Sequence, residues 1–178
     1  MIRILGPLVT LWACCALNAA TLRQLSMDQM TQSATAIVRA RVTGSSTSIT
    51  GSTIYTHYKL QVSDTWKGSG ATEVMLPGGV SGNYRQSFPG VPALRTGSDY
   101  VLFLWTSPST GITHLVGFSQ GLFSVVPQAD GSIQALRQRI GEGILDSAGR
   151  PVRDQSVQMP LTSMKAQVRA TIAAGALR

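Results

Sequence analysis

Apolar and polar residues alternate with a period of two along much of this chain, the mark of strands that bury one face. In the segment AIVRARV, Val38, Ala40 and Val42 alternate with Ile37, Arg39 and Arg41, so one face is apolar and the other carries cations. In TIYTHYKLQV, Ile54, Tyr58, Leu60 and Val62 alternate with Tyr55, His57, Lys59 and Gln61. Trp66-Lys67-Gly68 ends that strand, Glu73 to Leu76 predicts a third, and Pro77-Gly78-Gly79 stops it. The run from Asp99 to Trp105 is almost continuously apolar, rich in aromatic and β-branched residues, and predicts a central strand buried on both faces. His114 to Phe118 and Leu122 to Val126 predict two more strands, and Asp130-Gly131 a turn into Ile133 and Leu136.

The period changes to 3.6 near both ends. Ser26-Met27-Asp28-Gln29 has the spacing of a capping box, with Met27, Met30 and Ala34 following at helical intervals. Leu161, Met164, Val168 and Ile172 follow Pro160 at the same interval, with Lys165, Gln167 and Arg169 on the other side, and predict a closing amphipathic helix. Gly44 to Gly51 reads as a Ser/Thr/Gly loop. The stretch from Gly78 to Gly97 holds five glycines and two prolines, and reads as a long loop or a loosely paired excursion. Residues 137–160 are polar and glycine-rich, with a small hairpin expected around Ser147-Ala148-Gly149. Strands that do not alternate with helices indicate a mainly β fold: a single antiparallel barrel (OB-like) or sandwich, with a short N-terminal helix and a C-terminal amphipathic helix.

Residues 1–20 change the picture of where this fold works. Arg3, an uncharged apolar run from Ile4 to Ala16, and small residues at Ala19 and Ala20 have the order of an export signal. Cleavage is expected after Ala19 or Ala20, with lipidation at Cys14 as an alternative; the run falls short of the roughly 20 residues that span a bilayer. Both cysteines, Cys14 and Cys15, lie in this segment, so the remainder has no thiol for a disulfide. The expected layout is a signal peptide at 1–20, a β-barrel domain with its helix at 21–136, and a polar segment with a closing helix at 137–178. The expected location is periplasmic or extracellular, with no transmembrane segment after cleavage.

The net charge is +7, but the middle of the chain does not share it. Residues 61–135 carry Lys67, Arg85 and Arg95 against Asp64, Glu73, Asp99 and Asp130, while 136–178 carry seven cations against three anions. Cations spread singly or in pairs such as Arg39/Arg41 and Arg137/Arg139 do not form a nucleic-acid platform. They fit weak attraction to an anionic envelope polymer, or contact with another extracytoplasmic protein.

Ala34 to Val42, Tyr58 to Gly68 with its Trp-Lys-Gly ending, the Leu76-Pro77-Gly78-Gly79 turn, Gly97 to Leu104, and Val116-Gly117-Phe118-Ser119-Gln120-Gly121 together resemble small secreted bacterial proteins of uncharacterised function. The order AIVRARV, YKLQVSDTWKG, GSDYVLFL more loosely resembles the netrin-like domain of tissue inhibitors of metalloproteinases, which implies an OB-type barrel. Inhibitors of that family ligate a target's zinc through an N-terminal cysteine, and this chain beyond residue 20 contains none.

Candidate chemistry is sparse. Gly117-Phe118-Ser119-Gln120-Gly121 matches the G-x-S-x-G nucleophile elbow, but a predicted strand follows it where the elbow needs a helix, and no histidine lies beyond His114. The motif therefore reads as a glycine-flanked bend. His57 and His114 are too far apart in sequence for a metal spacing, though either can meet Asp64 or Glu73 in space. No cofactor is indicated. Tyr84, Arg85 and Phe88, within the glycine-rich 78–97 stretch, are the one cluster of large recognition-type side chains. The function expected from sequence is an exported, non-enzymatic binding domain. The alternatives are a serine hydrolase using Ser119 and a protease inhibitor acting through a loop.

Overall fold

The computed structural model describes residues 21–141 and 143–176; the expected signal peptide, with both cysteines, lies outside the described residues. β1 (Thr21–Arg23) leads into α1 (Met27–Ser33). The predicted capping box is formed: Ser26 Oγ accepts from the Gln29 amide at 3.1 Å, and Gln29 Oε1 accepts from the Ser26 amide at 2.9 Å. β2 (Ala36–Thr50), β3 (Thr53–Lys67) and β4 (Glu73–Pro77) follow, then a small ribbon of β5 (Gly79–Ser81) and β6 (Tyr84–Gln86). Beyond it come β7 (Asp99–Thr106), β8 (Thr113–Leu115), β9 (Leu122–Pro127) and β10 (Ile133–Arg137). β11 (Gly143–Leu145), β12 (Pro151–Val152), β13 (Val157–Pro160) and α2 (Leu161–Gly175) complete the described chain.

The fold is mainly β with two helices, and its principal sheet is antiparallel throughout, in the order β13-β10-β9-β7-β2-β3-β4. β8 shares the edge of β7 with β9, so β7 is flanked on both sides. Among the described residues no strand pair joins β4 back to β13. β1 pairs in parallel with β11, which takes β12 on its other edge through a turn at Asp146–Gly149, where the sequence predicts a hairpin.

Neighbouring residues of β2 and β7 point to opposite faces and feed two cores. Ala36, Val38, Ala40, Leu102 and Leu104 join Leu60, Val74 and Leu76 on one side. Ile37, Val101 and Phe103 join Met30, Phe123, Met164 and Val168 on the other, where both helices pack. This is why the Asp99–Trp105 run is almost unbroken in its hydrophobicity: Tyr100 to Leu104 are all buried.

Two predicted elements differ. Residues 44–51 are not a loop: β2 continues to Thr50, which pairs with Thr53 around the two-residue turn Gly51-Ser52. Most side chains of this ribbon are exposed, so no apolar alternation marks it, and backbone pairing to β3 holds it extended. The strand predicted over 114–118 is shorter, because the chain leaves β8 after Leu115 and makes a 3-10 turn at Phe118–Gly121.

The Trp-Lys-Gly ending of β3 is a structural joint. Trp66 is buried against the helical side, and its Nε1 donates to Asp64 at 2.9 Å. Lys67 Nζ donates to the carbonyls of Thr31 (2.6 Å) and Gln32 (3.2 Å), a cation at the C-terminal end of α1. Gly68 has φ of +65°, and a Cβ there would stand 2.1 Å from the Thr35 carbonyl oxygen, so only glycine fits.

Candidate functional site

The glycine-rich 78–97 stretch takes the loosely paired form. Its β5–β6 ribbon is pinned to the tip of the β2–β3 hairpin, where Gln86 accepts from the Ile54 amide and donates to the Ser52 carbonyl, both at 2.7 Å. Thr56 Oγ1 donates to the Gly78 carbonyl at 2.7 Å, and Thr47 Oγ1 to that of Val80 at 3.1 Å. Gly79 sits so close to this hairpin that a Cβ would lie 2.3 Å from Thr56 Oγ1, which explains the Pro-Gly-Gly sequence.

The structure brings two of the three predicted contact residues together. Arg85 pairs with Val80 and Tyr84 with Ser81, so consecutive strand positions send the arginine and the tyrosine to opposite faces of the ribbon. Arg85 and Phe88 line one cleft of about 290 Å³, whose walls include Tyr58, Leu76, Val91 and Pro92. Tyr84, 74% exposed, is not part of that cleft. Among the described residues Arg85 has no ion-pair partner, a state it shares with Arg23, Arg95, Arg139, Arg153 and Arg169, while Arg39 and Arg41 meet Asp99, Arg137 meets Asp154, Arg150 meets Asp146 and Lys165 meets Asp64. What sets Arg85 apart is its place beside Phe88 in the cleft.

Ser119 stands elsewhere. Its hydroxyl donates to the Gly90 carbonyl at 2.7 Å and its amide to the same oxygen at 3.1 Å. Next to it, the buried Gln120 accepts from the Leu25 amide and donates to the Arg23 carbonyl, both at 2.8 Å. The G-x-S-x-G segment is thus a clamp that fastens residues 23–25 and Gly90 to the start of β9. His114 does not face Ser119: its Nδ1 lies 3.0 Å from the Met75 carbonyl oxygen, linking β8 to β4.

His57 has the partners that Ser119 lacks. Its Nε2 is 2.8 Å from Ser48 Oγ, and its Nδ1 is 2.9 Å from Glu73 Oε1. The three residues come from adjacent strands. Ser46 pairs with His57, His57 with Met75 and Lys59 with Glu73, so Ser48, His57 and Glu73 lie on one face and meet diagonally. All three line a cleft of about 760 Å³, which extends to the Thr106–Thr113 turn. The sequence brings His57 and Glu73 into view, but Ser48 lies in the segment read as a loop. The missing signal is the tight turn at Gly51-Ser52: counting its register backward aligns Ser48 with Tyr55 and so with the face that carries His57.

The two clefts lie on opposite faces of β3. Thr56 and Tyr58 line the smaller one, and Tyr55 and His57 the larger. Among the described residues no three His, Cys, Asp or Glu side chains gather as a metal site. No family model, curated protein or solved structure matches this chain.

Proposed function

We propose that this chain is an exported binding domain that contacts an extracytoplasmic protein through the Arg85–Phe88 cleft. The observation that carries the reading is the anchored β5–β6 ribbon, which holds an arginine without an ion-pair partner beside an apolar recess. A rigid mount lowers the ordering cost of association, and arginine beside an aromatic ring is a combination common in binding hot spots. The complementary partner presents an apolar side chain next to a carboxylate. An anionic envelope polymer satisfies Arg85 alone and leaves the recess around Phe88 unfilled.

The architecture proposed for this domain is an OB-like barrel formed by β2, β3, β4, β7 and β8. Its interior is the cluster of Val38, Ala40, Leu60, Leu76, Leu102, Leu104 and Leu115, and the His114–Met75 contact brings β8 against β4. In that arrangement the β5–β6 ribbon covers one end of the barrel, a usual place for a binding loop.

The test is capture from an envelope extract on the immobilised domain, followed by affinity measurement with the protein recovered. Arg85→Ala and Phe88→Ala should each weaken binding by about tenfold or more, as expected of hot-spot residues. Tyr84→Ala, outside the cleft, should change it less. A partner lost with Tyr84→Ala and indifferent to the cleft pair would refute this site, and retention of anionic polysaccharide alone would refute the protein partner.

A further inference from the structure

We propose that Ser48, His57 and Glu73 form an acyl-transfer site on the opposite face of β3, acting on neutral esters. This inference does not rest on the binding cleft, and it adds a catalytic activity to the binding role proposed above.

The geometry has the logic of an activated nucleophile. A carboxylate oxygen accepts hydrogen bonds, so Glu73 Oε1, 2.9 Å from Nδ1, accepts the hydrogen bond that Nδ1–H donates, which keeps the proton on that nitrogen and leaves Nε2 as the acceptor. Nε2 is 2.8 Å from Ser48 Oγ, within direct reach of the hydroxyl proton. Ser48 is the nucleophile, His57 the general base, and Glu73 the positioning residue that selects the tautomer. The order along the chain, serine then histidine then carboxylate, is no obstacle, because such triads are recognised by geometry.

Access and chemistry of the cleft point to the substrate class. Ser48 and His57 are half-buried and Glu73 is exposed, so a small molecule reaches them from solvent. Threonines at 35, 50, 72, 106, 110 and 113 line the cleft, Glu73 is its one carboxylate, and among the described residues neither lysine nor arginine lines it. Such a lining hydrogen-bonds a neutral, oxygen-rich group and offers no cation to an anionic one.

In the first step Ser48 Oγ attacks the ester carbonyl carbon while its proton passes to His57 Nε2. The bond from carbonyl carbon to alkoxy oxygen then breaks, and the departing alcohol takes that proton. Water attacks the acyl-serine with His57 again accepting a proton. Collapse releases the carboxylic acid and returns the proton to Ser48 Oγ.

The test uses the purified chain and a fluorophosphonate probe, whose phosphorus bonds to the nucleophilic oxygen as fluoride leaves. Peptide mass mapping should find the adduct on Ser48. Ser48→Ala should abolish it, and His57→Gln should slow it by about a hundredfold or more, as for loss of a general base. Ser119→Ala should leave the rate unchanged. Glu73→Gln should slow labelling less than His57→Gln does, and should erase the preference for an Nδ1-protonated His57 ring in its nitrogen NMR spectrum. p-Nitrophenyl acetate should acylate the chain faster than a p-nitrophenyl ester bearing a carboxylate. No adduct on Ser48, or an adduct formed equally fast in a His57→Gln chain with native circular dichroism, would overturn the site. Equal rates with the two esters would overturn the substrate class.

Discussion

Replacing Leu104 by alanine probes the assignment of β7 as the shared wall of two cores. Leu104 is 0% exposed and lies in the cluster with Ala36, Val38, Leu102 and Leu115. The change deletes three carbon atoms, and at about 0.8 kcal/mol per buried methylene the transfer loss alone is about 2.4 kcal/mol. A cavity penalty adds to that wherever the surroundings cannot close in. Here they are held: Leu104 pairs with Ala36 on β2 and Leu115 on β8, and its carbonyl accepts the Thr35 amide at 2.8 Å. The expected cost is therefore near the upper part of the usual range, about 3 to 5 kcal/mol. For a chain of this size each kcal/mol lowers the thermal midpoint by about 2 to 4 °C, so the shift should be about 6 to 20 °C. Differential scanning calorimetry measures it, with Trp105→Ala as the neighbouring control, since Trp105 is 42% exposed and should cost much less. A shift at Leu104 no larger than at Trp105 would refute the two-core reading of β7.

Other consequences concern the joints of the fold. Asp154, buried among Arg137 and the Ile140 amide, is pushed up by burial, but the hydrogen bonds from Arg137 and Ile140 outweigh this and hold its carboxyl below the usual range. Because its folded value is depressed, its contribution is present above the ordinary carboxylate pKa of about 4 and is lost as pH falls through the folded value. Asp154→Asn should cost about 2 to 5 kcal/mol at pH 7 in urea denaturation. It should also flatten the acid side of the stability profile; an unchanged acid slope would refute the assignment. Gly68→Ala should destabilise by more than about 1 kcal/mol, because left-handed backbone strain is joined by the clash with the Thr35 carbonyl. A midpoint in urea equal to that of the unaltered chain would show that the Trp-Lys-Gly joint tolerates a side chain.

Much of the fold is legible in the sequence, because its signals are local. The capping box at Ser26, the alternation through Val38, Ala40 and Val42, the doubly apolar run at Asp99–Trp105 and the spacing of Met164 and Val168 each state how one segment meets a core. Periodicity carries that information wherever burial is one-sided or complete. It carries none for the tip of the β2–β3 hairpin, where both faces are largely polar and only the partner strand keeps residues 44–50 extended. The candidate sites depended on that undetermined part. Tyr84, Arg85 and Phe88 are neighbours in sequence, yet strand pairing sends Arg85 toward Phe88 and Tyr84 away from both. Ser48, His57 and Glu73 are distant in sequence, and only the diagonal register of three strands places them within hydrogen-bond reach. Local pattern determined the strands and helices that bury a face; cross-strand register, a property of pairs of segments, held the polar hairpin tip extended and decided which side chains meet.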